Sequence, residues 1–230
     1  ECDEGARVFF PERIKNIRPG DRVLEIGPGG SPHPRADAFL ERRFTSRKEA
    51  RWQRGSAKPV KYDKPVFFYG GSTFPFKDNE FDYIICSHVI EHVPAEELPL
   101  FLSEMQRVGK RGYLEAPSCF YEFLFNIPVH HWLLHYRNNS WVMLNKKSIS
   151  YYPMQDVFFL LLEHAYGRNR QTLIADFADF FITGHEWKNC IRYNIVNDVN
   201  ELLTKADIRY YTVYFKRFVV KRALDNSILK

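Results

Sequence analysis

The order of apolar segments predicts an α/β domain built on a mainly parallel sheet with helices on its faces. Two observations carry this. Short strand-like runs alternate with a helix-period segment through the first half of the 230-residue chain, the pattern that parallel sheets impose. One of those runs, Val23-Leu24-Glu25-Ile26, ends in the turn Gly27-Pro28-Gly29-Gly30. Such a turn lets bare backbone approach a ligand at the carboxyl end of a strand, where open α/β sheets bind theirs.

In chain order, Gly5–Ile17 is expected as a helix on the spacing of Val8, Phe9, Ile14 and Ile17, with Pro11 near its start or a kink. Arg18-Pro-Gly-Asp21 turns into the first strand. Beyond Ser31 two readings stand. In one, the crossover helix is vestigial and Ala36–Leu40 is the second strand, closing on Glu41. In the other, Pro34 opens a helix through Phe44 and the second strand comes later. The first is carried forward, because it puts Glu41 at a strand end beside the glycine turn. Arg42–Lys64 holds nine lysines and arginines against Glu49 and Asp63, either a solvated loop or a basic flap over an acidic acceptor.

Pro65–Tyr69 and Phe81–Cys86 are the next strands. Pro94–Val108 is a helix with Leu98, Phe101, Leu102, Met105 and Val108 on one side, stopped at Gly109. Arg111–Ala116 is a further strand. Residues 119–196 break the alternation. They are rich in aromatics and carry helix candidates at Gln155–Tyr166 and Arg170–Phe181, so they are read as a cap inserted into a single domain spanning 1–230. A helix over Val196–Ala206 and one or two closing strands over Ile208–Lys221, antiparallel at the sheet edge, complete the expectation.

Composition narrows the function. Hydrophobic residues make up 45% and aromatics 16%, enough for a sizeable core and too many for a disordered chain. No apolar run reaches the length of a membrane span, and no signal-peptide pattern is read. Four cysteines, Cys2, Cys86, Cys119 and Cys190, show no CxxC spacing. Reduced thiols in a cytoplasmic protein are therefore expected. The net charge of +5 permits an acidic substrate without requiring nucleic acid. A phosphate-binding P-loop is excluded, since no Gly-Lys-Ser/Thr occurs. A dinucleotide turn is disfavoured because Pro32 stands where its last glycine belongs.

Val23-Leu-Glu-Ile-Gly-Pro-Gly-Gly-Ser31 resembles the first motif, hh[DE]hGxGxG, of class I S-adenosylmethionine-dependent methyltransferases. Phe74-Pro-Phe76, then Asp78-Asn-Glu-Phe81-Asp82 and Ile90-Glu91-His92-Val93, is similar to a second stretch of the same family, in its type 11-like branch. The resemblance spans about Arg22 to Ser118. It implies a Rossmann-like fold, S-adenosylmethionine as cofactor, and methyl transfer to a small or carrier-linked acceptor. It also implies roles for residues. Glu25 would hold the methionine end of the cofactor, Gly27 and Gly29 would meet it through backbone, and Glu41 would take the ribose hydroxyls. Ser31 departs from the last glycine of the motif, and Gly70 stands where many relatives carry an aspartate for the adenine amine. Ser72 or backbone amides would substitute there.

Ser87 and His88, just past the fourth strand, would face the reactive end of the cofactor. Cys86-Ser-His-Val replaces the [DNS]PPY motif of adenine and glutamine N-methylating relatives, so oxygen is the expected methylated atom, with His88 and His131 as candidate catalytic residues. His131 and His135 could share a helix face and bind a metal, but no third ligand has recognisable spacing, and no metal is expected. Two other readings remain: a binding or scaffold protein that has lost catalysis, motivated by Gly70 and Ser31, and an RNA methyltransferase, suggested by the basic segment.

Overall fold

The structure, a computed structural model, describes residues 10–54, 61–71, 73–149 and 174–214. Five parallel strands form the body of the sheet: β1 (Val23–Ile26), β2 (Ala38–Arg42), β3 (Val66–Tyr69), β4 (Tyr83–Ser87) and β5 (Arg111–Pro117). With β8 (Ile182–Lys188) the order is β3-β2-β1-β4-β5-β8, and only β8 runs antiparallel, paired with β5 from Arg111↔Lys188 to Pro117↔Ile182. Chain direction of the connections reverses between β1 and β4, which opens a crevice above their carboxyl ends.

The strands alternate their side chains between two faces. On one, Leu24, Ile26, Ile84, Cys86 and Leu114 meet the helix α2 (Leu98–Val108) through Leu98, Leu102 and Met105. The same core takes in Trp132, Leu134, Trp141 and Met143 from a second sheet of β6 (Trp132–Arg137), β7 (Ser140–Asn145) and β9 (Tyr193–Val196). On the other face, Val23, Tyr83, Ile85 and Tyr113 pack against Ile14 and Ile17.

The residues after Ser31 contain no helix before β2. The crossover is therefore vestigial, and Glu41 lies in β2 one residue from its end. The chain closes the gap with polar anchors instead: the Asp37 carboxylate accepts from Val23 N (2.8 Å), and Asp37 N donates to Val23 O (2.8 Å).

Three expectations are corrected. The described part of the Gly5–Ile17 helix is only a 3-10 turn at Pro11–Arg13. Pro11 supplies no N–H, and the backbone N–H groups of Lys15 and Asn16 donate to the Glu186 carboxylate on β8 rather than to preceding carbonyls. His131 and His135 share no helix. They lie before and within β6, because Asn138 and Asn139, both at positive φ (50° and 57°), form a two-residue hairpin turn into β7.

The described beginning of the Ile208–Lys221 segment is helical, over 205–214. Thr204 and Asp207 form a reciprocal cap there: Thr204 N donates to Asp207 Oδ2 (2.7 Å) and Asp207 N to Thr204 Oγ1 (3.3 Å). That cap outweighs the strand preference of the residues that follow. The antiparallel edge expected of this segment is made by β8 instead.

Within 119–196 the described residues form α3 (Cys119–Phe125), the β6–β7 hairpin, α4 (Ala178–Phe181), β8 and β9. The expected helix at Gln155–Tyr166 lies outside the described residues. Val196–Ala206 divides into the end of β9, the short helix α5 (Val199–Leu202) and the Thr204 cap.

Candidate functional site

The carboxyl ends of β1, β2 and β4 bring most of the expected site residues to one rim. Glu25 and Glu41 are both buried, at 3% and 5% exposure. They occupy the same face of β1 and β2, since Glu25 pairs in register with Phe39, two residues before Glu41. Glu25 Oε2 accepts from His33 N (2.8 Å), so the stretch that replaces the crossover helix folds back over the carboxylate. Burial, with Glu41 nearby, outweighs that hydrogen bond and raises the Glu25 pKa to about 7.

The glycines divide into two kinds. Gly27 sits at φ +63°, and a Cβ on it would stand 2.5 Å from Val89 Cγ2, so a neighbouring loop fills the space a side chain would need. Gly29, Gly30 and Gly70 have nothing within 4 Å of a Cβ position. Gly29 and Gly30 lie in the turn after β1 and Gly70 directly after β3, so backbone at the carboxyl ends of two strands is open to approach. The Tyr62 hydroxyl donates to Glu41 Oε1 (2.7 Å), lies 3.0 Å from Gly29 O, and spans this rim. Ser72 lies outside the described residues.

At the end of β4 a second group of polar side chains gathers. Ser87 Oγ donates to Glu115 Oε1 (2.8 Å), and the Tyr113 hydroxyl donates to Glu115 Oε2 (2.5 Å). His88, in the left-handed region at φ +55°, stands between two carboxylates, with Nε2 3.6 Å from Glu115 Oε1 and Nδ1 3.3 Å from Glu91 Oε1. Burial alone would lower the His88 pKa, but the two carboxylates outweigh it and push it up to about 10. Burial would raise that of Glu91, and His88 outweighs it in turn, drawing it down to about 2. His88 thus bridges the Glu91 and Glu115 carboxyl groups, one on each ring nitrogen.

His131 is only partly buried, and desolvation followed by the charge of Lys147 lowers its pKa, so its ring is neutral at pH 7. Its backbone N–H donates to Glu91 O (2.7 Å), which sets the residue against the loop following β4. His135 is far from this group in function: buried in β6, it pairs with Asp207 (3.1 Å) and ties the second sheet to the 205–214 helix.

The Phe74-Pro-Phe76 motif belongs to the core. Phe74 and Phe76 pack edge-on against Phe101 and Phe81, and Arg107 on α2 donates to the carbonyls of both residues (3.1 and 2.8 Å). Sequence reasoning missed Tyr62 and gave Glu115 no site role. Glu115 carried the same signal as Glu25, a lone acid inside an apolar strand. Tyr62 carried none, because its partners are set by the path of the loop.

Residues 45–114 match the family model described as a methyltransferase domain. No curated protein matches the chain. Solved structures similar to it include a candidate methyltransferase from Bacillus halodurans, 21% identical over 55% of this chain and 62% of that one, at a TM-score of 0.38. An S-adenosylmethionine-dependent methyltransferase from Methanosarcina mazei is 16% identical over 56% of this chain and 73% of that one, at 0.36. Another from Mesorhizobium loti is 13% identical over 53% and 56%, at 0.32.

The matched segment runs from the basic stretch into β5, less than a third of the chain, and the sheet around it is mainly parallel, of order β3-β2-β1-β4-β5-β8. The glycine turn, Glu25 and Glu41 precede the matched segment. No helix among the described residues is long and apolar enough to cross a membrane.

Proposed function

We propose that the protein transfers a methyl group from S-adenosylmethionine to an oxygen of a small or carrier-linked acceptor. The observation that supports it best is the pair of buried carboxylates, Glu25 and Glu41, toward the carboxyl ends of β1 and β2, together with open backbone at Gly29, Gly30 and Gly70. Bound there, the cofactor would supply a methyl group activated by its sulfonium. Glu25 is placed to accept from an ammonium, and its carboxylate, already aimed by His33 N, needs no reorganisation. Glu41 is placed to accept from ribose hydroxyls; the Tyr62 hydroxyl it now holds marks an acceptor suited to that partner. Gly70 leaves the adenine edge without a side-chain acceptor, so backbone groups and Ser72 are assigned to it.

Methyl transfer from a sulfonium depends on alignment and on excluding water. The Glu91–His88–Glu115 chain fixes the loop after β4. Ser87, held by Glu115, is assigned to the same wall. His88, already protonated, cannot accept a proton, so it positions rather than acts as base. His131 is neutral and lies against this loop, and is assigned as the group that takes the acceptor's proton.

Calorimetric titration with S-adenosylmethionine and S-adenosylhomocysteine, on wild type and Glu25→Gln, tests the cofactor site. Saturable binding that the variant weakens justifies an acceptor screen with radiolabelled methyl groups. Folded protein that binds neither ligand would overturn the reading and leave a scaffold role.

A further inference from the structure

Beside His88, Glu91 also meets two histidines, His92 and His130, to which the methyl-transfer reading gives no role. One ligating atom each from Glu91, His92 and His130 lies within 4.8 Å of the other two. The Glu91 carboxylate is 1% exposed, and neither of its oxygens accepts a hydrogen bond. Among the described residues its ion-pair contact is His88 Nδ1 at 3.3 Å. The imidazolium offsets the charge, but the two oxygens, with no hydrogen bond, keep lone pairs free to take a further ligand.

Both histidines are held by the wrong nitrogen for mutual bonding and the right one for a shared ligand. His130 Nδ1 lies 2.5 Å from Glu122 Oε1, and His92 Nδ1 lies 3.1 Å from Gln53 Oε1. With Nδ1 donating to its acceptor, each ring would keep the Nε2 lone pair for a ligand. Glu122 is itself held, by Lys146 Nζ at 2.8 Å on its other oxygen. The two rings meet edge to face, with centroids 4.5 Å apart and planes at 87°. This carboxylate–histidine support is how metal-ligating imidazoles are oriented.

We propose that Glu91, His92 and His130 bind one divalent transition-metal ion of the zinc type. Two imidazoles and a carboxylate suit that class of ion and leave a fourth position open. Tetrahedral donors at zinc distances stand about 3.4 Å apart, so the atoms, now within 4.8 Å of one another, close in by at most about 1.4 Å, shared among three side chains. The ion joins the loop after β4 to the segment that enters β6, two stretches nearly 40 residues apart in sequence. The spacing Glu91-His92 with His130 matches no short motif, which is why sequence reading expected no metal.

The test uses tag-free wild-type protein stripped with a chelator and titrated with Zn²⁺ alone, with Co²⁺ absorption as a second probe. One equivalent is expected, together with a higher thermal unfolding midpoint. His130→Ala should lose the binding. Glu122→Gln, which removes the support and the Lys146 ion pair but no ligand, should weaken it 10–100-fold. His131→Ala, one residue outside the set, should bind as wild type, and circular dichroism checks that each variant is folded. Folded wild type without stoichiometric uptake would overturn the proposal. So would full binding in His130→Ala, or equal loss in His131→Ala. Uptake of the ion is read without cofactor or acceptor, so this result and that of the methyl-transfer reading are independent.

Discussion

Cofactor affinity should depend on pH through Glu25. The carboxylate is buried, its pKa is raised to about 7, and it must be ionised to accept from an ammonium group. In the free protein the ionised fraction rises from about 3% at pH 5.5 to about 76% at pH 7.5, so Kd for S-adenosylhomocysteine should tighten by about 25-fold over that range. The direction follows from linkage: a ligand that favours the ionised form expels a proton, so its binding strengthens as pH rises and levels off above the free-state pKa. At pH 7 the reaction should release about half a proton, measurable by repeating the titration in buffers of different ionisation enthalpy. Glu25→Gln should bind more weakly and lose the pH dependence below 7.5. The cofactor's own amino group titrates just above this window, so the comparison stays below it. A flat wild-type profile, or a variant that keeps the slope, would refute the assignment of Glu25 to the cofactor's amino end.

Replacing Gly70 by Asp places a carboxylate where a Cβ meets nothing within 4 Å. It should tighten cofactor binding by about 5-fold, one hydrogen bond's worth, in the same calorimetric assay. His131→Ala should lower kcat for an identified hydroxyl acceptor by about 10²–10⁴-fold, with the cofactor Kd unchanged. A Cβ on Gly112 would stand 2.2 Å from the Ile84 carbonyl oxygen and 3.0 Å from Trp187. Gly112→Ala should therefore separate β4 from β5 and cost about 1–3 kcal/mol in denaturant unfolding. Stability should also respond to Glu25. A carboxyl whose folded pKa lies above its unfolded value destabilises the fold progressively between about pH 4.5 and 7, so Glu25→Gln should gain on wild type by about 3 kcal/mol at pH 8 and by little at pH 4.

What could be read from the sequence was what local pattern determines. The apolar runs at Val23, Pro65, Phe81 and Arg111 became parallel strands within two residues of their expected starts, because burial on both faces demands continuous apolar residues. Glu25 and Glu41 were legible as acids at strand ends. Where a distant partner decided the conformation, the pattern misled. Gly5–Ile17 has helical spacing, but Glu186, some 170 residues away, holds its described end in another form. The residues after Thr204 have strand composition, but a local cap commits them to helix. The same limit holds at the site. His88 reads as a base until Glu91 and Glu115 are seen to enclose it, and those neighbours come from different elements.

The contact between Gly27 and Val89 has a mechanical meaning. A glycine at this turn is expected to make room for a ligand, yet the room at Gly27 is taken by a methyl group from the loop that carries His88. Donor-side and acceptor-side loops are thereby keyed together like two teeth of a gear. On the proposed function, an in-line displacement, which tolerates little error in the distance between its two reactants, would depend on this interlock at the end of the sheet. A bulkier residue at 89 would push the glycine turn outward, so alignment could be detuned from a position that touches neither reactant.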